Sequence, residues 1–320
     1  MKAALSAIGL GAILATAFNV ASAAPTATTT QTGTGNTAYT EQTLVDPTAP
    51  ASATNIQVGN NNGAGDPDLL IPGILQRNIT AYSAANALIY QMGDENAAAI
   101  VQDGTSFPVN AEIRQQGENN RAVVFQTGVT FIDGLLHQEG TGNFAALEQS
   151  GVVDLSFRGS QNGSNNFMWV RQFNNASHGA SSVTQTGSLN AVSVDQDGTL
   201  GAFTIEQAGD TNTVSSTMTG DVSNSIQQTG TGNIALTGQA DGSNYSVTVQ
   251  TGDNHLATVS QTGGINDSLI TQAGNCHQAA MTQTNFGGGT NTAYINQVGN
   301  GFVASTTQTG DANNSGVYQH

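Results

Sequence analysis

IYQMGDENAAAIVQDG, residues 89–104, holds two glutamines, Gln91 and Gln102, each followed two places later by a glycine. The same Gln-x-Gly returns along most of the chain. From Gln91 the marker passes through Gln102, Gln115, Gln126, Gln138, Gln149, Gln161 and Gln172 and runs on to Gln308 and Gln319. Twenty of its twenty-one positions are glutamine and the other is Met218. Most steps are eleven residues, and the others run from ten to fourteen. A composition rich in Gly, Asn, Gln, Thr and Ser, with 9% charged residues, is also met in disordered tracts. A disordered tract has no reason to keep count, so the beat predicts a repeat array.

Alternation identifies the unit. Two residues before the marker stand Ile89, Ile100, Ile113, Val124, Leu136 and Leu147, and four before it mostly alanine, as at Ala87, Ala98, Ala111, Ala122 and Ala145. Polar residues such as Arg114, Glu148 and Asp195 fall between them. Small–x–aliphatic–x–Gln has a period of two, which predicts a β-strand with one inward face. The glycine after the marker permits a positive φ in a tight turn. Asparagine often follows three residues later, as at Asn96, Asn120, Asn143, Asn166, Asn190, Asn212 and Asn233.

The predicted fold is therefore all-β: a β-solenoid of strand–turn–strand rungs of about 22 residues, with amyloid-like cross-β stacking, ten rungs rising roughly 50 Å. An unpaired buried amide costs about 1–3 kcal/mol. Stacked one strand apart, each glutamine donates to its neighbour, and the ladder fixes the register. An isolated rung orders too many residues for the two aliphatics it buries, so stability comes from stacking.

The remaining features bound the function. Residues 1–23 read as a signal peptide: Met1-Lys2, an apolar run, then Ala21-Ser22-Ala23 as the cleavage site. Beyond it five arginines face twenty-two acids, a surface repelled by nucleic acid and anionic lipid. Neither a nucleic-acid partner nor membrane insertion is expected. Cys276, the one cysteine, makes no internal disulfide. Residues 24–75 are expected to be a flexible N-terminal segment with one detached repeat at 31–42, because Pro47, Pro50, Pro67 and Pro72 crowd residues 43–75. Residues 76–320 are expected to form the solenoid.

Chemistry is sparse. Gly33-Thr34-Gly35-Asn36-Thr37-Ala38 matches a dinucleotide-loop fragment, but the match returns at 140–145 and 230–235 on the repeat beat, so these are turns. Asp103-Gly104, Asp197-Gly198 and Asp241-Gly242 also read as turns, since the calcium-binding G-G-x-G-x-D series is absent. His137, His178, His255, His277 and His320 lack metal-ligand spacing. His255 and His277 share a parity one rung apart, which suits a stacked imidazole pair or a weak metal site. No nucleophile–base constellation is present, so no enzyme activity, catalytic residue or cofactor is expected.

Gln91-x-Gly93-x-x-Asn96-x-Ala98-x-x-x-Gln102 resembles the curlin repeat, the unit of curli fibres, as do Gln115–Gln126, Gln138–Gln149, Gln228–Gln239 and Gln31–Gln42. The resemblance covers residues 76–320 and that early copy. It implies a secreted, extracellular functional amyloid, a cell-surface fibre subunit serving biofilm matrix and adhesion. Its implied partners are itself, sibling and nucleator subunits, an outer-membrane secretion pore and periplasmic chaperones. It also implies that the inward amides of the terminal repeats drive polymerisation: Gln91, Asn96 and Gln102 at one end, Gln308, Asn313 and Gln319 at the other. The chain departs from the pattern at Met168, at Met218, and at His255, His277 and Phe302 in place of asparagine. Rival readings are a nucleator subunit of the same fibre, a soluble β-solenoid binding module such as an ice-binding protein, and a polysaccharide-cleaving β-helix. Ice binding would want regular outward Thr-x-Thr, which Arg114, Glu148 and Asp195 interrupt.

Overall fold

In the strand Ala85–Met92 every second residue is buried, so Ala85, Ala87, Ile89 and Gln91 face inward while Asn86, Leu88 and Tyr90 face out. That strand lies parallel and in register beside Val109–Glu118, which in turn lies beside Thr130–Thr141. Gln91, Gln115 and Gln138 thus come level. The second strand of each rung repeats the arrangement: Ala97–Asp103, Arg121–Thr127 and Phe144–Ser150 pair in parallel with Gln102, Gln126 and Gln149 aligned. Parallel pairing needs a return path, which the opposite sheet supplies.

The computed structural model describes residues 25–43, 45, 51–66, 71–79, 84–105, 108–174, 176–198 and 201–320. The signal-peptide reading and Pro47, Pro50 and Pro67 lie outside them. The chain divides into two compact units, residues 1–165 and 166–320. Each is a β-solenoid of parallel strands in two facing sheets, with its core between them.

In the first unit Ile89, Ile113 and Leu136 of one sheet and Ile100, Val124 and Leu147 of the other are all fully buried. A second apolar cluster forms where the step lengthens to twelve or thirteen residues, after Gln102, Gln126 and Gln149. Val109, Val129, Ile132, Val152 and Leu155 fill the wider turn that the extra residues make. Sequence spacing marked these steps as irregular but did not identify their apolar contents.

Within residues 24–75, expected to be a flexible segment with a detached repeat at 31–42, the described stretches include paired strands. Thr26–Thr32 pairs with Ser52–Val58, which pairs with Ala85–Met92, aligning Gln31, Gln57 and Gln91. Thr40–Thr43 pairs with Ile74–Arg77 and that with Ala97–Asp103, aligning Gln42, Gln76 and Gln102. Fifteen- and nineteen-residue steps hide these copies from the beat. The inward positions return to register after each longer step, because a slip would bury polar residues and expose Ile74.

The second unit has a leaner core. Val259, Ile270, Met281 and Ile295 cluster with Ala257, Ala279, Ala293 and Ala304. Nearby, Thr237, Ser246, Thr248 and Ser268 face inward with hydroxyl oxygens that have no partner among the described residues. Thr248 is level with Ile226 on one side and Ile270 on the other. Thr248→Val removes a buried, unsatisfied hydroxyl without changing shape. It is expected to raise stability by about 1–2 kcal/mol, read as a higher denaturant midpoint.

Candidate assembly site: the amide ladders

The inward parity of each strand brings its glutamine into the interior, and the parallel register sets it level with the next. In the first unit Nε2 of Gln31 donates to Oε1 of Gln57 at 2.7 Å. Gln57, Gln91, Gln115 and Gln138 then donate in turn to Gln91, Gln115, Gln138 and Gln161, each at 2.8 Å. In the facing sheet Gln42, Gln76, Gln102 and Gln126 donate to Gln76, Gln102, Gln126 and Gln149 at 2.7–3.0 Å. Each amide has a second N–H, and it crosses the core: Gln115 reaches the carbonyl of Ala97 at 3.0 Å, and Gln126 that of Asn110 at 3.1 Å. The glutamines therefore tie rung to rung and sheet to sheet. Gln126, Gln149 and Gln172 are all 0% exposed.

The second unit repeats this from Gln185 through Gln207, Gln228, Gln250, Gln272 and Gln297 to Gln319, at 2.8–3.0 Å. In its other column Gln172 donates to Gln196 at 2.9 Å, and Gln239, Gln261 and Gln283 donate onward to Gln308. Met218, level with Gln196 and Gln239, breaks this column. The break leaves two atoms buried without partners, Nε2 of Gln196 and Oε1 of Gln239.

The turns carry their own ladder. Oδ1 of Asn96 accepts the backbone N–H of Asn120 at 3.1 Å, while Nδ2 of Asn96 donates to the carbonyl of Gly117 at 2.8 Å. Asn36, Asn62, Asn120 and Asn143 continue the column. A glycine stack runs beside it. Gly93, Gly117 and Gly140 adopt φ of +109°, +114° and +114°, and a Cβ on Gly117 would lie 2.0 Å from the carbonyl oxygen of Gly140. Backbones approach there as only glycine allows.

His255 and His277 continue the asparagine column of the second unit. The backbone N–H of His255 donates to Oδ1 of Asn233 at 3.0 Å, Nδ1 of His255 accepts from the N–H of His277 at 3.3 Å, and Nδ1 of His277 from Phe302 at 3.2 Å. Each Nε2 meets a carbonyl four residues back, on Thr251 and Ala273. Imidazole thus fills both asparagine roles, with Nδ1 as acceptor and Nε2–H as donor. The rings stack at 5.0 Å, and His277 stacks on Phe302 at 5.4 Å. With both ring nitrogens engaged, neither histidine has a lone pair to offer a metal. No group of three metal-ligating side chains occurs among the described residues.

Burial holds the pKa of His255 below the usual 6.5, outweighing its bond to Thr251. The unfolded chain therefore takes up a proton that the fold resists. This contribution to stability is complete above about pH 6.5 and is lost as the pH falls through the folded value. The denaturation midpoint is expected to drop as the pH falls below about 6.5, before carboxylates begin to titrate. His255→Asn should flatten that drop, and an unchanged profile would refute the assignment.

Of the residues expected to form the ladders or drive polymerisation, Gln91, Asn96, Gln102, Gln115, Asn120, Gln126, Gln138, Asn143 and Gln149 all stand in the ladders. Gln91, Asn96 and Gln102 are not terminal, because Gln57, Asn62 and Gln76 precede them in their columns. Gln308 and Gln319 are the last amides of their columns among the described residues, and Asn313 donates its backbone N–H to Oδ1 of Asn291 at 3.0 Å. A second asparagine column, Asn244, Asn266 and Asn291, escaped the sequence reading. Its first two members fall five residues after Gln239 and Gln261, the same offset as Asn96 from Gln91.

No curated protein matches the chain. Residues 248–274, one complete rung with Gln250, Gln261 and Gln272 in the ladders, match the family model described as the curlin associated repeat. That stretch is similar to a curlin repeat, and the neighbouring rungs of the second unit are built on the same ladders.

Proposed function

We propose that this chain is a secreted structural subunit that polymerises into curli-like amyloid fibres outside the cell, serving biofilm matrix and surface adhesion. The observation that carries the reading is the uninterrupted glutamine column from Gln185 to Gln319, whose register one further strand can extend without new chemistry. Among the described residues, Asn314–Gln319 is paired on one side only, with Thr290–Asn300. An open edge of this kind is a template for another strand. Secretion through an outer-membrane pore, with chaperones restraining the chain beforehand, belongs to the same proposal. So does co-assembly with sibling subunits.

Freshly desalted protein should convert to thioflavin-positive filaments visible by electron microscopy, and persistent monodisperse monomer would sink the reading. Deleting residues 309–320 should slow elongation by removing the open strand.

A further inference from the structure

The chain carries a net charge of −16, yet five successive strands of one sheet of the second unit present no charge on their outward face. These strands lie within Thr213–Thr231 and Ile234–Asp253 and continue through Leu256–Thr262, Gln278–Thr284 and Val303–Thr309. Three residues before each ladder position the outward side chain is Ser215, Leu236, Thr258, Ala280 or Ser305. The other outward columns hold Thr, Ser, Gly, Ala, Gln and aliphatics, with Ile234 and Leu236 each 39% exposed and Val303 65% exposed. Charge appears on this sheet at its first rungs, at Arg171 and Asp195, which pair with each other at 3.5 Å, and at Asp197, level with Thr219. The opposite sheet of the unit bears Glu206 and Asp267 on outward positions. Acids otherwise collect in the turns, at Asp210, Asp221, Asp241 and Asp253.

From this segregation we infer that the uncharged face is a self-association surface, on which the same face of a second copy docks side by side. Two acidic chains repel wherever their charges meet, and this face is where two sheets come together without confronting carboxylates. Small and β-branched side chains over parallel, in-register strands suit the dry packing of one sheet on another, about 10 Å apart. Five strands of seven residues cover about 550 Å² on each copy, which brings a face-to-face pair to the low end of specific interfaces. An uncharged centre inside a charged rim is the usual anatomy of such an interface. In a stack of subunits the surface would repeat along the filament, so weak pairing per copy would add up. That last consequence rests on the proposed fibre, and pairing of single copies does not.

The test is Ser215→Glu/Thr258→Glu/Ser305→Glu, which places carboxylates on alternate rungs of the face. Ser225→Glu/Thr271→Glu on the opposite sheet is the control. By electron microscopy the wild type and the control should form laterally paired filaments. The triple variant should form single filaments elongating at the wild-type rate. Equal pairing in the triple variant, or single filaments throughout, overturns the inference. If no filaments form, the fibre reading fails and sedimentation of soluble protein decides. Dimers of wild type and control beside a monomeric triple variant support the face, and monomers throughout overturn it.

Discussion

Gly117→Ala is expected to destabilise the first unit by more than about 4 kcal/mol, the range reserved for substitutions with a named steric cause. Gly117 has φ +114°, and its added methyl carbon would sit 2.0 Å from the carbonyl oxygen of Gly140. Neither partner can yield, because Gly140 is backbone held in the next rung, where its own Cβ position faces Gly163. The rungs must separate or the turn must refold. Gly128→Ala is the matched control. Gly128 lies in the other turn at φ +61°, with nothing within 4 Å of an added Cβ, so its cost is the left-handed penalty of about 1–2 kcal/mol. Denaturant midpoints of the two variants measure the difference, and equal losses would show that the glycine column does not set the rung spacing.

Met218→Gln should act in the opposite direction. The buried thioether sits between Nε2 of Gln196 and Oε1 of Gln239, two buried atoms with no partner. A glutamine there accepts from the first and donates to the second, closing the column from Gln172 to Gln308. Each buried unsatisfied group costs about 1–3 kcal/mol, so the expected gain is about 2–4 kcal/mol after losing the apolar burial of methionine. Met218→Leu keeps the apolar volume without the amide and should bring no gain. If Met218→Gln proves neutral, the orphaned amides are satisfied by some other route.

How far the sequence could be read depended on whether a feature repeats at a fixed offset. Gln126 and Gln149 were legible as buried because a period of two fixes the inward parity whatever the neighbours are. Gln57 and Gln76 were not, since their steps of fifteen and nineteen residues break the count; their membership shows only in the strand pairing. The histidines posed a different problem. A substitution in an asparagine column reads as a defect, and only the geometry of His255 and His277 shows imidazole performing both amide tasks. Met218 was legible as a missing rung, but the two atoms it strands became visible only when the register set Gln196 and Gln239 on either side. The uncharged face needed the sheets themselves, because its members are scattered over some ninety residues and look like ordinary Ser and Thr.

Within each glutamine column all the amides donate in one sense, toward the C-terminal side, as from Gln31 through Gln115 to Gln161. Their dipoles therefore add head to tail, and each bond polarises the next. An amide in mid-column, such as Gln115, is held by two such bonds, whereas Gln31 makes one among the described residues. Cohesion is greatest where an amide has neighbours on both sides, and an amide with one neighbour is the first to loosen.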